Sequence, residues 1–159
     1  FKIFGITKEQ YLVAFPEQED IINLTSDVIF FYGRRPMSEI QVELTKSDFS
    51  ILLREVTRGT TAGFPTKVVE SMSCGTPMIT TQTSDLSNYI RNGENGFFVN
   101  IGNREELVNS LSRITSMSKK NIMNLKQICC ADKAFLPIEF KTLVEIFFES
   151  VVGLDHDKL

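Results

Sequence analysis

Histidine is nearly missing from this 159-residue chain, whose only one is His156. That removes histidine-rich zinc sites and leaves a Ser-His-Asp triad without support. Cysteine is scarce as well: Cys74, Cys129 and Cys130 show no C-x-x-C spacing, and the adjacent pair cannot easily bridge. A reducing, cytoplasmic setting is the natural expectation. Positive charge is not in excess. Seventeen Lys and Arg against twenty Asp and Glu give a net charge of −3, so nothing favours a nucleic-acid partner or an anionic membrane surface. No apolar run approaches the roughly 20 residues that span a bilayer. No basic segment precedes a long apolar run at the start, which argues against a signal peptide. G-x-x-x-x-G-K-[ST] does not occur, excluding a P-loop NTPase, and no G-x-G-x-x-G follows the first strand, arguing against a dinucleotide oxidoreductase.

What remains is an ordinary globular mixture, 42% apolar and 23% charged, long enough to bury a core. The expectation is one domain over residues 1–152 followed by a polar tail, 153–159. The chain opens Phe1-Lys2-Ile3 without an initiator Met, so a segment of a longer protein is expected.

Apolar patterning then gives an alternation. Residues 1–5 read as a strand, and 8–23 as a helix that Pro16 interrupts. Residues 27–32 are almost continuously apolar, as in a strand covered on both faces. A turn at 33–36 leads to a helix for which Ser38 is a plausible N-cap, with Gln41 completing a capping box. Strand 49–53 and a long polar loop, 54–65, follow. Helix 67–74 is closed by Gly75, strand 77–81 comes next, and Ser84 caps a short helix. The last strand is 96–99, and helices are expected over 104–115, 119–135 and 138–152. Strands alternating with helices predict an α/β fold, Rossmann-like and three-layered, with a mostly parallel sheet and C-terminal helices. In such folds ligands sit beyond the carboxyl ends of the strands. The loops of interest are therefore 5–8, 33–36, 54–66 and 81–85.

The informative stretch runs from Arg54 to Pro77. Gly63 lets backbone approach a ligand closely, and Pro65 stands where a helix begins. Unpaired N–H groups of that first turn, with the helix dipole, suit a diphosphate. Arg54 and Arg58 precede it and could add bidentate phosphate contacts. Glu70, one turn in, could accept hydrogen bonds from ribose hydroxyls. Each feature also has a plain structural reading. Loop arginines are commonly solvated, Lys67 and Glu70 could pair three apart on the helix, and Thr66 could be only an N-cap.

The run Ala62-Gly-Phe-Pro-Thr-Lys-Val-Val-Glu70-Ser-Met-Ser-Cys-Gly-Thr-Pro77 resembles the donor-site motif of GT-B glycosyltransferases of family 4 type, the glycosyl transferases group 1. That motif is a Glu, seven residues, a second Glu, small residues, Cys-Gly and Thr-Pro. Ser84 to Val99 resembles the next segment, with Asn92-Gly93 and Gly96 before apolar residues. The strand, turn, helix and strand from Gly33 to Phe49 resemble the part upstream. The likeness covers residues 28–115. It implies the donor-binding half of a retaining, metal-independent transferase that takes a nucleoside-diphosphate sugar, with no cofactor. Glu70 would hold the ribose, and Thr66 with Lys67 would lie against the distal phosphate. Gly63 and Phe64 would present backbone to the sugar, Lys8 would serve the diphosphate, and Arg34 to Pro36 would flank the base. No nucleophile is identifiable. The acceptor domain would be an N-terminal one outside this chain, and peripheral membrane association of the full-length enzyme is among the expectations.

One departure is visible: the motif's first Glu, which contacts the donor sugar in the family, falls at Ala62. A branch of bacterial polysaccharide-type transferases with Ala-Gly-Phe-Pro-Thr-Lys at this place is the nearer resemblance. The missing Glu also supports an alternative, a non-catalytic Rossmann-like binding or interaction module. Retention of Glu70, Lys67 and the loop arginines speaks against it. A sugar-nucleotide epimerase would need further acid-base groups than the sequence offers. Asp155-His156-Asp157 imitates a metal motif but reads as solvated tail. Phe140, Leu143, Val144, Phe147, Phe148 and Val151 form an amphipathic stripe for packing on the domain's own sheet or on the absent domain.

Overall fold

A computed structural model describes residues 1–132, 134–135 and 146. The chain divides into two compact units, Phe1–Glu43 and the part from Leu44 onward. The expected helix over 138–152, its apolar stripe and the polar tail lie outside the described residues, Ile146 apart.

In the first unit, β1 (Lys2–Ile3) and β2 (Phe30–Phe31) pair in parallel, Lys2 opposite Phe30. Helix α1 (Lys8–Ala14) starts at Thr7, whose hydroxyl accepts from the Gln10 amide while the Gln10 side chain accepts from the Thr7 amide. Pro16 ends the helical run as expected: a 3-10 turn (Pro16–Gln18) intervenes before α2 (Glu19–Leu24). The apolar run 27–32 is a shorter strand than its composition suggests. The amides of Val28 and Ile29 both donate to the Thr25 carbonyl, at 2.9 and 2.8 Å, and so form the turn after α2, while the Val28 carbonyl accepts from the Phe1 ammonium. Nor is the strand covered on both faces, since Phe30 keeps 45% of its surface exposed. Helix α3 (Met37–Lys46) begins one residue before Ser38. The amides of Glu39 and Ile40 donate to the Pro36 carbonyl, which places Ser38 inside the first turn and not at the cap.

In the second unit, β3 (Ser50–Leu52), β4 (Met78–Thr80) and β5 (Gly96–Phe98) form a parallel sheet in the order β3-β4-β5. Between β3 and β4 lie α4 (Arg58–Ala62) and α5 (Thr66–Ser73). After β5 come α6 (Arg104–Thr115) and α7 (Lys119–Ala131). The parallel, Rossmann-like α/β character expected from the alternation is present. Successive side chains of a strand point to opposite faces, and the core divides accordingly. Met78 packs with Val68 and Met72 of α5, Leu86, Ile90 and Cys129. Ile79 packs with Phe97, Val99, Ile114 of α6 and Leu125 of α7. Both faces of β4 are thus covered.

Other boundaries move by a residue or two. Gly75, at φ +67°, follows the C-cap Cys74 and stops α5 as expected. Ser84 caps no helix: it sits at φ +52°, before a 3-10 turn (Leu86–Asn88) whose N-cap is Asp85. Helix α7 ends at Ala131, before Phe135, because Asp132 turns extended and its amide closes on the Ile128 and Cys129 carbonyls. Among the described residues no helix is long and apolar enough to cross a membrane.

Gly96 marks the tightest approach in the sheet. A Cβ there would stand 2.8 Å from the Met78 carbonyl oxygen and 2.9 Å from an Ile90 methyl. Gly96→Ala should therefore destabilise the protein by about 1–3 kcal/mol, because β4 backbone cannot yield as a flexible side chain can. Urea unfolding monitored by circular dichroism would measure it.

Candidate functional site

The segment singled out from the sequence leaves the carboxyl end of β3 and is fixed at once. The Thr81 hydroxyl, just past β4, accepts from the Arg54 amide at 3.0 Å and donates to the Arg54 carbonyl at 2.7 Å. One side chain thus clamps both backbone groups of Arg54. The stretch expected to be loop then contains α4. Its cap is reciprocal: the Thr57 hydroxyl accepts from the Thr60 amide, and the Thr60 hydroxyl accepts from the Thr57 amide at 2.8 Å. Ala62, where the motif's first Glu would stand, is the last residue of α4 and is exposed.

Gly63 follows in an extended conformation, with open space where a Cβ would lie. Phe64 turns inward. Its ring meets Tyr89 edge-on at 5.1 Å and Phe135 at 5.9 Å, and the Tyr89 and Phe135 rings stack at 5.1 Å. Pro65 is buried and serves as the N-cap of α5. Thr66 is therefore the first helical residue and not the cap. No side chain caps this helix, since proline has none to offer. The Val68 amide donates to the Pro65 carbonyl at 3.0 Å, which leaves the amides of Thr66 and Lys67 to solvent or ligand.

Helical spacing sorts α5 into two faces. Val68, Ser71 and Met72 are buried, while Thr66 and Lys67 are exposed and Glu70 is half-buried. The Lys67 ammonium and Glu70 carboxylate stand 3.9 Å apart, so the plain reading of this pair as a helix-face contact is realised. Burial, and then the neighbouring Glu70 carboxylate, raise the Cys74 thiol above its ordinary range. Arg58 opens α4, exposed, and the Arg54 side chain is partly exposed. Neither guanidinium pairs with a described carboxylate.

Lys8 and Arg34 belong to the first unit. The Lys8 ammonium donates to the Asn23 side chain at 2.8 Å and so ties α1 to α2. Arg34 is exposed. Its neighbour Arg35 is the engaged one, donating to the Tyr32 carbonyl at 3.1 Å. Arg35 also borders a cavity of about 490 Å3, together with the stacked rings of Phe4 and Tyr32.

Beneath Phe64 lies a group that sequence reasoning missed. Asn95 is fully buried. Its oxygen accepts from the Arg91 amide at 2.7 Å, and its NH2 donates to the Tyr89 carbonyl at 3.0 Å and to Asp132 at 3.1 Å. The Asn95 carbonyl accepts from the Cys129 thiol at 3.1 Å. Asn95 thereby fixes Tyr89, and with it the surface on which Phe64 rests. The only sequence signal was an Asn between two glycines of a turn. Among the described residues no group of three or more His, Cys, Asp or Glu is gathered as for a metal ion.

Comparison with known proteins yields a family and a set of folds. The family model described as Glycosyl transferases group 1 matches residues 8–127. No curated protein matches significantly. Among solved structures, HepE of Anabaena in complex with UDP is similar at a TM-score of 0.67 and 18% identity, over 94% of this chain and 40% of that one. Sucrose-phosphate synthase of Thermosynechococcus elongatus is similar at 0.65 and 17%, over 94% and 38%. A glycosyltransferase of Rickettsia africae is similar at 0.67 and 18%, over 93% and 39%. The chain thus spans about 40% of the length of the first of these.

Two outcomes follow from the buried polar group under the site. Asn95→Ala strips partners from the Arg91 amide and the Tyr89 carbonyl, so a loss of about 1–3 kcal/mol in urea unfolding is expected. Burial pushes the Cys129 thiol from 9.0 up to about 11. The folded state therefore holds this proton more tightly than the unfolded state. Its contribution is complete below about pH 9 and is lost as pH rises toward 11. Stability measured from pH 8 to 11 should fall less steeply in Cys129→Ala than in the unaltered chain.

Proposed function

The chain belongs to the glycosyl transferases group 1 family, and on that premise we propose that its second unit binds a nucleoside-diphosphate sugar for transfer of the sugar. The observation that carries this reading is the start of α5. A helix with no side-chain cap opens beside an unobstructed Gly63, and one exposed face presents Thr66, Lys67 and Glu70. First-turn amides and the helix dipole favour an anion at this end. In this reading Thr66, Lys67 and the α5 amides receive the distal phosphate. Arg54 and Arg58 add positive charge from the preceding stretch. Glu70 accepts the ribose hydroxyls, because an ionised carboxylate only accepts hydrogen bonds. Gly63 and Phe64 present backbone, with the Phe64 ring turned into the core and out of the ligand's way.

The chemical demand is on the leaving group. As the glycosidic bond opens, negative charge builds on the nucleoside diphosphate. Fixed cations and oriented amides stabilise that charge without reorganising. We propose on this basis a retaining transfer that needs no metal, in polysaccharide or other glycoconjugate assembly. Acceptor binding would involve a further domain of the same protein. The chain alone would then bind nucleotide and not turn over.

The second reading, a non-catalytic nucleotide-binding module, draws on Ala62. This exposed end of α4 offers no carboxylate to the donor sugar.

Calorimetric titration with UDP, GDP and ADP, with and without magnesium, tests the site. One base should bind in the absence of metal. Glu70→Ala should weaken that binding by about 1.5–3 kcal/mol, roughly a ten- to hundredfold rise in Kd, as for loss of a hydrogen bond to a charged group. Unchanged affinity in Glu70→Ala would remove Glu70 from the site. Equal affinity for the nucleotide and its sugar-bearing form would favour the module.

A further inference from the structure

The amides of Thr66 and Lys67 serve a phosphate only if they are held in direction, and the residue that leads into this stretch supplies no hold. Gly63 is exposed, has open space where a Cβ would lie, and is the most permissive residue a chain can offer. Beyond it the backbone stiffens. Pro65, at φ −77°, is fixed by its ring, and a residue before proline is kept out of the helical region. Phe64 and Pro65 therefore turn as one piece. Where the Phe64 ring rests sets where the next two amides point.

That ring rests on two others. It meets Tyr89 edge-on, with the planes at 75°, and Phe135 at 55°, while Tyr89 and Phe135 stack at 21°. Rings in contact prefer such edge-on and stacked geometries, so the three orient one another. Both supports are anchored. Asn95 holds the Tyr89 carbonyl. Phe135 lies beyond the end of α7, and the turn that carries it is built on Asp132. One Asp132 oxygen accepts from the Arg91 guanidinium at 3.0 Å and from the Asn95 NH2 at 3.1 Å. The other accepts from the Ala134 amide at 3.1 Å. The residue beside Phe135 is thus tied to the same buried asparagine that holds Tyr89.

We propose that Phe135 is a positioning residue of the nucleotide site. It touches no phosphate, and acts through the Phe64 ring on the direction of the Thr66 and Lys67 amides. This rests on the nucleotide-sugar reading above and adds to it a dependence of phosphate binding on the chain beyond α7. A packing role alone has a different consequence: stability falls, and the molecules that remain folded bind as before.

Calorimetry with UDP and UMP, or with the diphosphate and monophosphate of whichever base binds, separates the two. Only the diphosphate carries the distal phosphate assigned to the start of α5. Phe135→Ala should raise the Kd of the diphosphate about tenfold, as for one misdirected hydrogen bond to a charged group. The monophosphate should stay within about twofold of its former Kd on the same scale. Phe135→Tyr keeps the ring and should restore diphosphate binding. Phe135→Leu keeps the apolar bulk without the flat face and is read in the same way, so a folding defect in the alanine variant leaves the test intact. Leu125→Ala truncates a side chain on the other face of β4 and should lower stability with both Kd values unchanged. Equal weakening of diphosphate and monophosphate in the Phe135 variants overturns the proposal. So does an unchanged diphosphate Kd, and in that case the nucleotide site stands without it. Absence of UDP, GDP and ADP binding by the unaltered chain overturns the nucleotide site and the role of Phe135 together.

Discussion

Strand β4 is buried on both faces, and that obliges every polar atom in it and beside it to find a partner within the protein. A buried hydroxyl left unpaired costs about 1–3 kcal/mol, so a threonine-rich strand is tolerable only if each hydroxyl is used. Each is. Thr76 donates to the Leu44 carbonyl at 2.5 Å, Thr80 to Leu52 at 2.8 Å and Thr81 to Arg54 at 2.7 Å. The three acceptors lie before, at the end of, and just beyond β3. Burial of β4 thereby sets the register of β3 and the point from which the chain departs toward α4 and α5. No described buried side-chain N or O lacks a hydrogen-bond partner.

The same logic acts on the other side of β4. Asn95 meets four backbone or side-chain groups, and the Tyr89 it fixes supports Phe64. The start of α5 is thus held between the Thr81 clamp and an aromatic seat, while its exposed face carries no structural duty beyond one ion pair. A site precise in backbone and undemanding in side-chain packing is what a ligand needs from a loop on a rigid sheet.

The alternation of elements was legible because it rests on local signals. Pro16 and Gly75 stop helices by their own backbone chemistry, and α6 runs from Arg104 to Thr115 as its periodicity predicts. The strands proved shorter than their apolar runs, since hydropathy reports burial and not ladder pairing. Helix α4 was hidden because its cap is Thr57 with Thr60, where the usual signature has a Glu or Gln, and because it contains Gly59. The candidate segment itself, 63–70, could be found from its glycine, proline and charges. What holds it could not. Thr81 acts on Arg54 across 27 residues, and Asn95 on Asp132 across 37. Nothing local distinguishes those side chains from surface polar residues. Ser38 and Ser84 show the converse, good caps by type that the backbone does not use as caps.

The ion pair between Lys67 and Glu70 bears on whether this face is structural or functional, and its magnitude decides. A pair of this spacing on a helix face stabilises by only about 0.2–0.5 kcal/mol. Hydrogen bonds from Lys67 to a phosphate, or from a ribose hydroxyl to Glu70, involve a charged partner and contribute about 1.5–3 kcal/mol each. A ligand offering both therefore displaces the pair at little loss. At 3.9 Å the pair is loose, and Lys67 is the more exposed partner, at 70% against 30%. On the proposed function, the two charges of this contact are the ones a diphosphate and a ribose would take over. The helix-face pair is therefore no argument against the proposed donor site. Ala62 is different in kind: no carboxylate there can be released or recruited, so any recognition of the donor sugar must come from backbone at Gly63 and from side chains elsewhere.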